Sequence, residues 1–288
     1  MNLSQKTIGV VGLGLIGGSL GAAIKKYIPK TTVIGFDNNN TEANKAASYS
    51  LVDDVEITFE KLVNSADILV LATPLLSALK YIRLLHSYNR QMIVSDVCSV
   101  KRPLLQAAET LSGNMTFVGG HPMAGSQKSG NDYADPDMFQ GAAYVLCPPL
   151  TGKIPTELTD IITAIGGQPV LTSPEEHDKA VSRVSHAPQL LAVSLLNELQ
   201  KGEDSEELLL KLAAGGFKDV TRIGESSYTV WKDILAKNKD NIISDISRLI
   251  IRLNDYKDAL QTGKSETLEK EFDKARSVRE KILRDKEL

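Results

Sequence analysis

The 288-residue sequence predicts an α/β chain: a largely parallel sheet occupies its first part, and its last part is all helix. Three observations predict it. Apolar strand-length runs alternate with helix-length segments as far as residue 173, a glycine cluster follows the first run, and only long helical segments remain after Pro174. Strands alternating with helices read as crossover units, which join parallel neighbours.

The runs are "TIGVVG" (7–12), "TTVIGFD" (31–37), "DILVLATP" (67–74), "MIVSD" (92–96), "TFVGG" (116–120) and "AAYVLCP" (142–148). A seventh, "GGQPVLTS" (166–173), follows a helical stretch around "TELTDIITAIG" and completes the same domain. The first run leads into "VVGLGLIGGSLG", where Gly12, Gly14 and Gly17 keep a G-x-G-x-x-G spacing between a strand and a helix. The first glycine permits the tight turn, the second lets a pyrophosphate approach the backbone, and the third lets helix and strand pack closely. Free amides at the helix start, around Leu15 and Ile16, then face the phosphates. Glycines also serve ordinary turns, so Asp37 matters. It ends the second run twenty residues past Gly17, where an acidic side chain accepts hydrogen bonds from adenosine ribose hydroxyls. Together these residues predict a Rossmann-like dinucleotide-binding domain over residues 1–173.

The same aspartate separates NAD from NADP. A 2′-phosphate about 4 Å from the carboxylate would be repelled by up to ~4 kcal/mol per charge pair at an effective dielectric of about 20. The following "NNN" (38–40) brings no arginine to offset that, so NAD is expected. Thr73 and Pro74, in the "ATPL" loop closing the third main run, are expected to line the cofactor crevice, with plain turn chemistry as the competing account.

Three polar constellations remain: "SDVCSVK" (95–101), "GGHPMAGS" (119–126) and, far downstream, "SHAPQ" (185–189) with "GGFKDVTRIG" (215–224). The first two should project from the carboxyl ends of neighbouring strands. His121, in a glycine-rich loop where a strand ends, is suited to take a proton from a substrate hydroxyl, because an imidazole titrates near neutrality. Ser99 is suited to donate or accept a hydrogen bond beside it. Plainer readings stand next to these. Ser99 caps a helix beginning near Val100, His121 is satisfied by backbone carbonyls, and His186 merely precedes a proline that kinks or starts a helix. Arg222 pairs at the surface with Asp219. His177, within "PEEHDK", reads as solvated and is assigned no chemistry, and His86 reads as a helix-surface residue.

Residues 174–288 read as an all-helical domain. Leu235, Ile242, Ile246, Leu249, Leu253, Tyr256 and Leu260 keep three- and four-residue spacing on one stripe. That nearly heptad stripe fits packing inside the domain and also a buried homodimer interface, and a combination of the two is expected. Beyond Thr262 the charged "ETLEKEFDKARSVREKIL" reads as a terminal surface helix.

Composition excludes several classes. A net charge of -3 with 24% charged residues of both signs gives no basic surface for nucleic acid or an anionic membrane. Cys98 and Cys147 lie far apart without metal-ligand spacing, so neither a disulfide framework nor a metal site is expected. The start lacks a leader pattern and no run spans a bilayer, so a cytoplasmic protein acting on a small molecule is expected.

Taken together, "IGVVGLGLIGGSL", "SDVCSVK", "GGHPMAGSQKSG", "EEHDKAVSRVSHAPQLLA" and "GGFKDVTRI" resemble the prephenate and arogenate dehydrogenases of tyrosine biosynthesis, in order and spacing, over nearly the whole chain. The glycine fingerprint is shared by many dehydrogenases, whereas "GGHPMAG" followed by "SHAPQ" and "DVTRI" is specific. The resemblance implies NAD-dependent oxidative decarboxylation of a cyclohexadienol, in an active site between a nicotinamide-binding domain and a helical domain that dimerises. It makes His121 the catalytic histidine, bonding the ring 4-hydroxyl and helping to remove its proton as hydride passes to NAD⁺, after which loss of the ring carboxylate aromatises the product. Ser99 matches the serine that orients that hydroxyl and the nicotinamide. Arg222 matches the arginine that holds a substrate carboxylate, His186 lines the substrate side, and Trp231 sits near the aromatic wall. Ser126 and Gln127 complete the expected substrate contacts. Prephenate and arogenate differ in a keto versus an ammonium group, and neutral Gln127 favours prephenate, giving 4-hydroxyphenylpyruvate. Arogenate, giving tyrosine directly, is the alternative, and Asp132 supports it if it points inward. A further C-terminal regulatory domain or fused mutase, found in some members, is not expected. A β-hydroxy-acid or pyrroline-carboxylate dehydrogenase, or a non-enzymatic NAD sensor, would leave these motifs unexplained.

Overall fold

The computed structural model describes residues 3, 5–126, 128–149, 152–199 and 206–284. The chain divides into two compact units, Met1–Lys239 and Asp240–Leu288.

The first unit holds strands β1 (Thr7–Val11), β2 (Thr32–Phe36), β3 (Asp54–Val55), β4 (Ile68–Leu71), β5 (Met92–Asp96), β6 (Met115–Pro122), β7 (Ala143–Cys147) and β8 (Gln168–Leu171). They form one sheet in the order β3-β2-β1-β4-β5-β6-β7-β8. Every pairing is parallel except that of β6 with β7. The helices between them are α1 (Leu15–Tyr27), α2 (Asn40–Ser48), α3 (Phe59–Ser65), α4 (Leu75–Leu85), α5 (Arg102–Ala108) and α6 (Thr156–Ala164). All seven expected runs are strands. β3 is an addition, two residues at the sheet edge and too short to show a pattern. β1 and β4 are apolar at nearly every position because the sheet is covered on both faces. Val11, Leu69 and Leu71 enter one core cluster, while Ile8, Val10, Ile68 and Val70 enter the other.

Two expectations change where β5 and β6 end. His121 is not in a loop: it is a strand residue paired with Val145 of β7. The strand runs past Gly120 because a Cβ there would lie 2.3 Å from the Asp96 carbonyl, so only glycine lets the end of β6 lie so close to β5. Nor does Ser99 cap the next helix, since α5 starts at Arg102 and its first amides bond elsewhere.

Helices α7 (Pro174–Val181) and α8 (Ala187–Glu198) are joined through a single π-type turn, Ser182–His186. Pro188 sits at the start of α8, and its missing amide together with its ring disfavours ordinary helical bonding in the turn before it. Helices α9 (Glu206–Leu212), α10 (Gly215–Thr221) and α11 (Tyr228–Lys237) follow. The expected apolar stripe is broken at Asn238: Leu235 belongs to α11, and the other members lie on α12 (Lys239–Gln261). In the second unit α12 and α13 (Ser265–Arg284) are linked by an Arg252–Glu271 ion pair at 3.0 Å. Both expose apolar side chains, among them Leu249, Ile250, Ile251 and Leu253 on α12 and Phe272 and Val278 on α13. Among the described residues no helix is long and apolar enough to cross a membrane.

Candidate active site

The sheet order reverses between β1 and β4, and open α/β sheets bind ligands at such a switch point, beyond the carboxyl ends of the strands. Gly12 turns there with φ +90°, and a Cβ on it would lie 2.5 Å from the Ala72 carbonyl and 2.8 Å from the Thr73 methyl. A Cβ on Gly17 would lie 1.9 Å from the Gly12 carbonyl, so α1 must begin with glycine there to pack on β1. Gly14 has no atom within 4 Å of where its Cβ would be, which leaves the backbone open to a diphosphate. The first turn of α1, with Leu15, Ile16 and Gly17, has no side-chain cap and no acidic residue, so its amides point outward unopposed. Asp37 accepts from the Leu13 amide at 2.7 Å and the Asn39 amide at 2.8 Å, one on each oxygen. A carboxylate has about four acceptor sites, so both oxygens retain capacity for a ribose diol. Across the crevice, Thr73 and Pro74 join β4 to α4, with Pro74 at the helix N-cap. These residues fit a dinucleotide.

The reaction end is a network of buried side chains. Lys101, fully buried, donates to the Asp96 carboxylate and to the Gly120 carbonyl. Asp96 also accepts from the Gly120 amide at 3.0 Å and the Cys98 amide at 2.8 Å. The ends of β5 and β6 are thus locked together immediately before His121. The Cys98 thiol donates to the Thr73 carbonyl at 3.4 Å, joining this loop to the cofactor crevice. Ser99, the next residue, is half-buried, its hydroxyl without a partner among the described residues. His121 keeps some exposure, but burial of the ring, with the Lys101 ammonium and the His177 and His186 rings, holds its pKa well below the usual imidazole value. Its Nδ1 lies 2.9 Å from His177 Nε2. His177 is therefore not solvated, as its charged sequence neighbours suggested. It is buried, with Nδ1 2.8 Å from the Asp178 carboxylate. Asp178 also accepts from the amides of Lys101 at 2.7 Å and Arg102 at 3.0 Å, supplying the cap α5 needs.

His186 is held differently. Its Nδ1 lies 3.1 Å from the side-chain amide nitrogen of Asn238, which also donates to the Asp178 carbonyl at 2.8 Å. An amide nitrogen only donates, so His186 Nδ1 accepts and its proton sits on Nε2. Burial pushes its pKa down to about 4, so it is a neutral donor at ordinary pH. Trp231 packs edge-on against its ring with centroids 5.7 Å apart. Two residues on, Asp233 accepts from the Leu76 amide at 3.3 Å, fastening α11 to the start of α4 beside the crevice. Arg222 opens the turn Arg222–Glu225, exposed and with no ion pair to Asp219 among the described residues. That turn is pressed on α8 through Gly224, where a Cβ would lie 2.6 Å from Leu196. Arg222 and His186 are therefore carried by one packed group of helices.

Ser126 is exposed on a separate cleft of about 650 Å³ with Met123, Lys128 and Tyr133, and it shares no hydrogen bond with the histidine cluster. Gln127 lies outside the described residues. Asp132 points outward to Lys45 and Tyr49 on the side of α2, which removes it as a partner for a substrate ammonium. His86 is exposed at the end of α4, as expected. Sequence reasoning missed His177, Asp178, Asn238 and the Lys101–Asp96 pair.

Comparison with known proteins agrees with this geometry. Residues 20–170 match the family description "Prephenate dehydrogenase, nucleotide-binding domain", and residues 173–274 match "Prephenate dehydrogenase, dimerization domain". The chain belongs to the prephenate dehydrogenase family. The boundary between the two matched regions, residues 171–172, falls at the end of β8, just before α7. A prephenate dehydrogenase of Bacillus subtilis is 37% identical over 97% of this chain and 77% of that protein. The crystal structure of prephenate dehydrogenase from A. aeolicus, in complex with hydroxyphenyl propionate and NAD+, superposes with a TM-score of 0.88 at 29% identity, covering 98% of this chain and all of that one. The Synechocystis arogenate dehydrogenase superposes at 0.79 with 28% identity over 96% of this chain and 99% of that chain.

Proposed function

We propose that this chain oxidatively decarboxylates prephenate to 4-hydroxyphenylpyruvate with NAD⁺, in the cytoplasm and as a homodimer formed through its helical part. The nucleotide-binding domain comprises residues 1–173, and residues 174–288 supply substrate contacts and the dimer interface, for which the exposed apolar faces of α12 and α13 are suited. One observation carries the reading: a histidine whose pKa is held low, His121, stands near the carboxyl end of β6, on the same edge of the parallel sheet as the open glycine turn after β1.

When bound, the nicotinamide supplies the hydride acceptor. Gly12, Gly14, Leu15, Ile16 and Gly17 would hold the diphosphate, Asp37 the adenosine ribose, and Thr73 with Pro74 the opposite wall. His121 takes the proton of the ring 4-hydroxyl, so that the carbon losing hydride becomes a carbonyl carbon. The carbon–carboxylate bond then breaks, its electron pair completes the aromatic ring, and carbon dioxide leaves. Ser99 orients the hydroxyl. Arg222 pairs with a substrate carboxylate through its two-pronged guanidinium, a charge-assisted contact that neutral groups do not match. His186 donates Nε2–H to the substrate, and Trp231 backs it. A folded-state pKa held well below the ordinary imidazole value by burial keeps His121 unprotonated at neutral pH. Its base function is lost only as pH falls through that lowered value.

Prephenate is favoured over arogenate because the Asp132 carboxylate, which would meet an ammonium only if it faced inward, is turned away onto Lys45. Purified protein offered prephenate and arogenate in parallel, each with NAD⁺ and NADP⁺, tests this by reduced-cofactor absorbance. Reduction is expected with prephenate and NAD⁺, and absence of reduction with either substrate overturns the reading.

A further inference from the structure

His177 has no role in the reading above, yet it is the group His121 touches. Asp178 bears a carboxylate that only accepts, and at 2.8 Å it requires the proton of a neutral His177 to sit on Nδ1. His177 Nε2 is then a lone pair, and the nitrogen 2.9 Å away, His121 Nδ1, must donate to it. The lone pair of His121 is consequently on Nε2, the nitrogen turned away from His177.

We infer that His177, itself oriented by Asp178, is a positioning residue that fixes His121 in the Nδ1–H tautomer and so presents Nε2 as the proton acceptor. Among the described residues, the charged and titratable groups that bear on the pair are Asp178, bonded to His177, the Lys101 ammonium with its partner Asp96, and the His186 ring. None of the others offers His121 Nδ1 an acceptor. As the substrate proton arrives on Nε2, the ring becomes an imidazolium. Its Nδ1–H stays donated to His177, whose own Nδ1–H stays donated to the Asp178 carboxylate. No second proton transfer is needed. Asp178 is itself fixed by the two amides at the start of α5, so the orientation of the base is set by a helix terminus.

This inference rests on His121 as the base, but part of its test does not. With four histidines in the chain, ¹⁵N-histidine labelling and long-range ¹H–¹⁵N spectra read each tautomer directly. In the unaltered protein we expect His121 and His177 to be protonated on Nδ1 and His186 on Nε2. A His121 protonated on Nε2 overturns the proposal whatever the enzyme's substrate. In His177→Leu, His121 should lose its Nδ1–H signature. The turnover number kcat should fall about 10- to 100-fold, inside the range of a mispositioned general base, with KM changed less than about threefold. His177→Gln, whose side-chain oxygen reaches roughly the place of Nε2, should restore the signature and most of kcat. An unchanged kcat in His177→Leu, or a Gln variant as impaired as the Leu variant despite a folded spectrum, also overturns it. If kcat falls while the tautomer signature stays, His177 acts in some other way and the proposal fails.

Discussion

At the cofactor crevice the working surface is backbone, exposed where Gly14 lacks a side chain and shaped where Gly12 and Gly17 have no room for one. At the reaction end the working surface is side chain, and each side chain is held by another: His121 by His177, His177 by Asp178, His186 by Asn238. The contrast follows from what each end must recognise. A diphosphate presents diffuse negative charge that rigid amides satisfy with no titration at all. A hydroxyl that must surrender its proton needs one nitrogen with a defined lone pair, and that takes a chain of oriented partners.

The contrast can be broken most sharply at His121. His121→Asn keeps a polar side chain but no base, and kcat should fall by about 10²- to 10⁴-fold with little change in substrate affinity. Arg222→Ala should do the reverse, raising KM by roughly 10- to 100-fold, as expected for loss of a hydrogen-bonded charge pair of about 1.5–3 kcal/mol, with kcat less affected. Steady-state kinetics of the two variants side by side reads both; the opposite pattern would exchange the two roles. At the cofactor end the effect should be smaller and confined to the cofactor. Asp37→Asn keeps one acceptor oxygen for the Leu13 or Asn39 amide but removes the charge that repels a 2′-phosphate. The preference for NAD⁺ over NADP⁺, as a ratio of kcat/KM values, should narrow by about tenfold, equivalent to ~1.4 kcal/mol. An unchanged ratio would mean that Asp37 serves only the backbone turn.

The same contrast explains what was legible in the sequence. A backbone site writes itself as glycine spacing next to a strand, so Gly12, Gly14, Gly17 and Asp37 could be placed from local pattern alone. Most strands were readable because burial makes them apolar runs; β8, exposed at all four positions, was readable only as the run after a helical stretch, and β3 was not because two residues carry no period. His121 was found for its chemistry but misplaced into a loop, because strand β6 continues only by pairing with β7, a contact no local pattern shows. His177 was lost to its neighbours: "PEEHDK" looks solvated, while on α7 and at the start of the turn after it the positions 177, 178, 181 and 182 are all buried. That four-residue recurrence, followed five residues on across the π-type turn by His186 and Ala187, was the available signal. The Lys101–Asp96 pair carried no such signal, since a fully buried lysine is exceptional and its reason is the three-dimensional junction of β5 with β6.

The central claim is that hydride removal here is coupled to loss of the ring carboxylate. Prephenate labelled in that carboxylate, incubated with the protein and NAD⁺, should release labelled carbon dioxide in a one-to-one ratio with NADH while 4-hydroxyphenylpyruvate accumulates. NADH formed without carbon dioxide, or carbon dioxide released without NADH, would contradict the account.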